Sequence, residues 1–148
     1  MVLYKSKLDR YELRKVAEDF PRAKIFGSKD SETYIRQFYF DDLEVYESFF
    51  ILLLNRNNNT IGYAKISQGG VSGTVVDVKI ICKYAVESLA SSVILAHNHP
   101  SGNLTPSDAD SQMTTKVKSA LKTLDIQCLD HIILTADSYF SFADNGVM

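Results

Sequence analysis

The stretch ILAHNHPSGNLTPSDAD, residues 94–110, holds His97 and His99 one residue apart, then Ser107, then Asp110 three residues later. If the residues before Pro100 are extended, alternate side chains share a face, so the two histidines project together and Asn98 points the other way. Pro100 cannot donate to a ladder and suits the exit from a strand. SGNLTP then supplies a turn, and Ser107 opens a helix. Asp110 precedes Met113 by three residues and Val117 by seven, which puts it on the inward face of the first turn. Two imidazoles and one carboxylate make a three-ligand zinc site with a fourth position open to water, the pattern of a catalytic ion. Such an ion makes hydroxide available near neutral pH and polarises the carbonyl it attacks. A competing reading uses the same residues: Ser107 and Asp110 have the S-x-x-D spacing of a capping box, which explains both without a metal.

These residues need elements to carry them. SSVILAHNH (91–99) reads as a strand stopped by Pro100, and Met113, Val117, Ala120, Leu121 and Leu124 give the helix after Ser107 an apolar stripe. Earlier in the chain, AKIFG (23–27) is a candidate short strand. A helix follows from Ser28, with Tyr34, Ile35, Phe38 and Tyr39 on one face. ESFFILLLN (47–55) is a continuous apolar run suited to a strand covered on both sides. RNNNT (56–60) is a turn, because asparagines tolerate left-handed backbone, and IGYAKISQGG (61–70) is the returning strand. Apolar residues at 78, 81, 82, 85 and 89 mark an amphipathic helix, with Thr74 or Asp77 as its N-cap. IQCLDHIILT (126–135) and SYFSFA (138–143) are further strands joined at Ala136–Asp137. The order β-α-β-β-α-β-α-β-β predicts one α/β domain with a mixed sheet flanked by helices. Residues 1–27 are expected to form a helical arm packed on a domain spanning 28–148.

The bulk properties narrow the function. A chain of 148 residues, 45% hydrophobic and 23% charged, has the make-up of one globular domain. The net charge of −2 offers no global basic field for nucleic acid. Cys82 and Cys128 match no metal-binding spacing and read as small buried side chains in a reducing, cytoplasmic setting. The opening residues lack a secretory apolar core, and no apolar run approaches the roughly 20 residues of a membrane span.

HNHPSGNLTPSDAD resembles the JAMM metal motif, H-x-H-P followed by six residues, S, two residues and D. Its wording is that of the RadC-like branch of the JAB/MPN family. LLLNRNN, SVILAHNHPSG, LDHIIL and YFSFADNG resemble RadC-like segments in the right order, over roughly residues 28–148. The resemblance implies a JAB/MPN sandwich related to cytidine deaminases, with His97, His99 and Asp110 as zinc ligands. Ser107 takes the place of the motif serine, whose hydroxyl can bond a developing oxyanion. The implied activity is zinc-dependent hydrolysis of peptide or isopeptide-type amides.

A JAMM hydrolase also needs a glutamate as general base. In RadC-like chains it is expected in a segment resembling E-x-x-x-x-G-T. The matching stretch here is GYAKISQGG, with Ala64 at the glutamate's position, so no general base is identified. Glu44 and Glu47, ahead of the apolar strand, are expected to lie out of reach, and Glu87 on a solvated helix face. Tyr63 reads as a proton-handling neighbour or as core, and His131 as a strand histidine bonded to a neighbour such as Asp130. The apparent loss of the base motivates an alternative: a catalytically weak or inactive zinc-binding module with a partner-binding role. The family name links that role to DNA repair, although no helix-turn-helix or aromatic-basic stretch stands out. A nucleobase deaminase is set aside, since H-x-E and P-C-x-x-C are both absent.

Overall fold

The computed structural model describes residues 20–39, 43–70 and 74–148. Most of the expected arm, residues 1–19, lies outside the described residues. Helix α1 (Ser28–Ile35) runs into a 3-10 turn, Arg36–Phe38. Strands β1 (Ser48–Leu54) and β2 (Thr60–Gln68) form a hairpin. Helix α2 (Val78–Glu87), strand β3 (Ser92–Asn98) and helix α3 (Asp108–Thr123) follow. Strands β4 (Gln127–Leu134) and β5 (Tyr139–Ser141) complete a five-stranded sheet of order β2-β1-β3-β4-β5. Among the described residues only β3 and β4 pair in parallel, and α3 is the crossover between them. The result is the mixed α/β sandwich expected of a JAB/MPN fold.

Strands β1 and β3 are buried along their whole length because helices cover both faces of the sheet. Phe49, Ile51, Leu53, Val93 and Leu95 pack on one face with Ile81 and Ala85 of α2 and Val117 and Leu121 of α3. On the other, Phe50, Leu52, Leu54, Ile94 and Ala96 meet Ile35, Phe38 and Tyr39. The hairpin turn follows from its asparagines. Asn55 Oδ1 accepts from the amides of Asn57 and Asn59, and Asn58 takes a left-handed φ of 57°.

Three local expectations need correction. AKIFG forms no strand; Lys24 makes a single bridge to Asn59 at the hairpin turn, and Phe26 points into solvent. Leu89 is not on the buried stripe of α2. It follows the helix end with φ 55° and is 84% exposed, the left-handed position where a helix stops. Leu124 likewise leaves the α3 stripe for the surface, whereas Thr114 is buried within it. Of the two N-cap candidates for α2, Asp77 caps, accepting from the Lys79 amide at 2.9 Å. Thr74 bonds Ser67 instead.

Candidate metal centre

His97 lies at the C-terminal end of β3, on the face covered by α2 and α3, where Phe49 stacks on its ring. One residue beyond the strand, the His99 amide still donates to Leu134 O at 2.9 Å, so the pleat continues and both imidazoles face the same way. A turn from His99 O to the Gly102 amide reverses the chain, and Gly102 holds φ at +83°, a conformation glycine adopts without strain. The loop then delivers Ser107 to the start of α3.

The capping box forms in full. Ser107 Oγ accepts from the Asp110 amide at 3.0 Å, and the Ser107 amide donates to Asp110 Oδ2 at 2.8 Å. Yet the cap does not consume the carboxylate. Asp110 Oδ1 stands 3.2 Å from His97 Nε2, and Oδ2 stands 3.3 Å from His99 Nε2. The two readings of the S-x-x-D spacing therefore describe one arrangement: the cap orients the carboxylate toward the histidines.

The donor set fits a metal ion. His97 Nε2 and His99 Nε2 are 3.0 Å apart, and each lies at a similar distance from Asp110. Zinc bonds of about 2.0–2.1 Å in tetrahedral geometry separate donor atoms by about 3.3–3.4 Å, close to these spacings. His99 Nδ1 donates to Asn103 O at 2.6 Å, since a carbonyl only accepts, which leaves Nε2 of the neutral ring as a lone pair aimed at the group.

Glu47 completes the cluster: one ligand atom each from Glu47, His97, His99 and Asp110 lies within 4.8 Å of all the others. This overturns its expected distance from the site. β1 and β3 run antiparallel with Phe49 opposite His97, so Glu47, two residues earlier, emerges opposite His99 on the same face. The segment carrying it is pinned from below by Asn98, the residue between the two histidines. Asn98 is fully buried, accepts from the Ser48 amide and donates to Leu43 O and Tyr46 O. Glu44 stays exposed.

Ala64 pairs with Ile51 inside the core, about four strand residues or 13 Å from the level of Glu47. No side chain there reaches the cluster. Tyr63 is on the opposite face, its ring stacked 4.0 Å from that of Phe38, and Glu87 is exposed. His131 is not bonded to Asp130 through its ring. Asp130 accepts from the His131 backbone amide, while the ring, fully buried, sits 2.7 Å from His97 Nδ1 and 2.6 Å from Thr114 Oγ1. Cys82 and Cys128 are free and half-buried, and burial pushes the Cys128 thiol up to about 12.

The local field favours added positive charge. A protonated His99 can donate to Asp110, and this partner, against the opposing effect of burial, raises the proton affinity of His99. Burial pushes the Asp110 carboxyl up, but the two histidines and the Ser107 amide outweigh it and hold it far below the carboxylate range. Glu47 moves the other way: burial raises its pKa, partly offset by the histidines.

Residues 27–147 match the family model of the RadC-like JAB domain. The chain is 46% identical over 135 residues to a UPF0758 protein of Flavobacterium johnsoniae, covering 90% of this chain and 58% of that one. Identity to a UPF0758 protein of Porphyromonas gingivalis is 47% over 103 residues, 69% of this chain and 45% of the relative. With UPF0758 protein YfjY of Escherichia coli identity is 40%, over 69% of this chain and 64% of the relative. The chain thus spans about half to two-thirds of the length of these relatives. No helix among the described residues is long and apolar enough to cross a membrane. With the family model covering nearly all of the domain and its metal-type residues assembled at one strand end, the chain belongs to the RadC-like JAB domain family.

Proposed function

We propose that the chain is a zinc-dependent hydrolase of peptide or isopeptide-type amide bonds, with His97, His99 and Asp110 as the residues that would hold the ion. The observation carrying this reading is the stand-off of Glu47. Asp110 pairs with both histidines, whereas no ion pair joins Glu47 to either, although it belongs to the same cluster. Three close donors and one carboxylate set back is the layout of a site with room for water, not of a closed structural centre.

Zinc, when bound, activates water as a nucleophile near neutral pH and polarises the carbonyl under attack. Glu47 takes the proton from the attacking water and returns it to the leaving nitrogen. Its raised pKa brings it closer to the operating pH, where one group serves as both base and acid. Ser107 Oγ accepts from the Asp110 amide, and among the described residues no acceptor takes its hydroxyl hydrogen. That hydrogen is available to an oxyanion at the mouth of the site.

The alternative, a catalytically weak or inactive zinc-binding module with a DNA-repair-associated or partner-binding role, was motivated by a missing glutamate, and the position of Glu47 beside the histidines weakens that motivation. A panel of fluorogenic peptide and isopeptide substrates, read with zinc-loaded protein, tests the proposal. Turnover abolished in Asp110→Ala is the expected result. Stoichiometric zinc with no turnover of any amide, alongside DNA binding that weakens steeply with salt, would favour the alternative.

A further inference from the structure

The His97 ring has a second nitrogen, and its environment settles which one carries the hydrogen. Thr114 Oγ1 lies 2.7 Å from Asp110 O and 2.6 Å from His131 Nδ1. A carbonyl oxygen only accepts, so the single hydroxyl hydrogen of Thr114 goes to Asp110 O. Thr114 Oγ1 must then accept from His131 Nδ1–H. His131 is fully buried, and its ring nitrogens meet His97 and Thr114, neither of them a carboxylate, so the ring is neutral and its Nε2 is an acceptor. At 2.7 Å that acceptor takes the hydrogen of His97 Nδ1. His97 Nε2 is left as a lone pair facing His99 Nε2 and Asp110.

We infer that Thr114 and His131 are positioning residues: a one-way relay from the Asp110 carbonyl through Thr114 and His131 locks His97 in the Nδ1–H tautomer, with Nε2 bare toward the metal position. Polarity at each link follows from the one before, given the carbonyl at the start and a neutral His131 in the middle. The relay also closes a ring. It begins on the main chain of one metal-ligating residue and ends on the side chain of another, joining α3, β4 and β3 behind the site. Phe142 stacks 4.6 Å from the His131 ring on one side, and Phe49 meets its edge on another, so the imidazole has no room to turn. With both histidines held in the same tautomer, two lone pairs face one another at 3.0 Å. That contact repels unless a shared proton or a metal cation lies between them.

Reversal of the relay is chemically simple. Thr114→Val keeps the shape but deletes the acceptor for His131 Nδ1–H, which leaves a buried donor unpaired. The ring's hydrogen regains a partner by moving to Nε2, which leaves a bare Nδ1 lone pair against the valine methyl in place of the unpaired donor. The ring then donates to His97 Nδ1, and the hydrogen of His97 moves to Nε2, into the metal position. Hydrogen bonds behind metal-ligating histidines are worth about 10- to 100-fold in metal affinity.

The tautomers are read in the metal-free wild-type protein by two-bond proton–nitrogen NMR correlation of the three histidine rings. Nδ1–H on both His97 and His131 is expected. Nε2–H on His131 overturns the relay, whether or not zinc binds. The consequence for the ion rests on the zinc reading above and is measured by competitive titration of zinc against a chromophoric chelator. Thr114→Val is expected to lose about 10- to 100-fold in zinc affinity at unchanged secondary structure, and Thr114→Ser, which keeps the hydroxyl, to restore it. Thr114→Val folded and binding zinc as wild type overturns the inference. Wild type failing to bind zinc at all overturns the zinc reading instead, and the NMR spectrum still decides the relay.

Discussion

On the α1 face of the sheet, Glu32 is almost completely buried and its carboxylate is met by Arg36 and Lys29. The Arg36 guanidinium also donates to Thr135 O and Ser138 O, each at 2.9 Å, tying the helix to the turn before β5. On the opposite face, Asp110 and Glu47 stand beside two imidazoles, and among the described residues no lysine or arginine pairs with either. The first cluster carries its own cations; the second has acceptors and lone pairs converging on a point. A protein that needed the second cluster only for stability has the solution of the first at hand. The contrast marks the α3-side group as one that could hold a metal ion.

The largest test of this contrast removes a donor. Asp110→Ala is expected to lower zinc affinity by more than about 1,000-fold, because one of three ligands and the orientation of the cap go together. Calorimetric titration of the variant beside wild type measures it. Glu47→Gln is expected to split the functions: turnover falls by about 100- to 10,000-fold while zinc affinity is little changed. Loss of zinc affinity in that variant would make Glu47 a fourth ligand and the site a closed one.

The same contrast shows what the chain disclosed in advance. His97, His99 and Asp110 were legible because their signals are local: a two-residue strand period, a proline stop and a three-residue helix offset. Glu47 was not, because its place depends on the antiparallel register of β1 against β3, a pairing between segments about 50 residues apart. The available signal was parity. Glu47 shares the face of Phe49 and Ile51, so parity puts it on the side bearing His97, and the observed register brings its carboxylate to the strand mouth. Sequence likeness over GYAKISQGG pointed instead to Ala64, which the hairpin buries in mid-sheet. Thr114 escaped because an apolar stripe does not count a threonine, although its hydroxyl is satisfied within the core. His131 was assigned a sequence neighbour when its partners are on α3 and β3.

On the α1 face the effects are on stability alone. Arg36→Met leaves Glu32 buried without its main partner and is expected to cost about 2–3 kcal/mol, less than a fully buried pair because the Arg36 side chain is 30% exposed. Urea unfolding measures the loss, and zinc affinity corrected for the folded fraction is expected to stay at the wild-type value. A fall in zinc affinity would mean that the two faces are coupled.

The smallest effect is a pH dependence. Burial pushes the Glu32 carboxyl up, but Arg36 and Lys29 outweigh it and its pKa in the folded chain is lowered. A lowered carboxyl pKa contributes stability that is present above the unfolded value of about 4.3 and lost as pH falls through the folded value. Wild type minus Glu32→Gln stability is therefore expected to be constant above about pH 5 and to shrink below about pH 4. A difference that grows on acidification would contradict the assignment.

Crystals grown with zinc and measured across its absorption edge would show whether His97, His99 and Asp110 hold one ion together. One anomalous peak is expected about 2.0–2.1 Å from His97 Nε2, His99 Nε2 and an Asp110 oxygen, with Glu47 outside bonding distance. A peak elsewhere, or none while the two imidazoles turn apart, would contradict it.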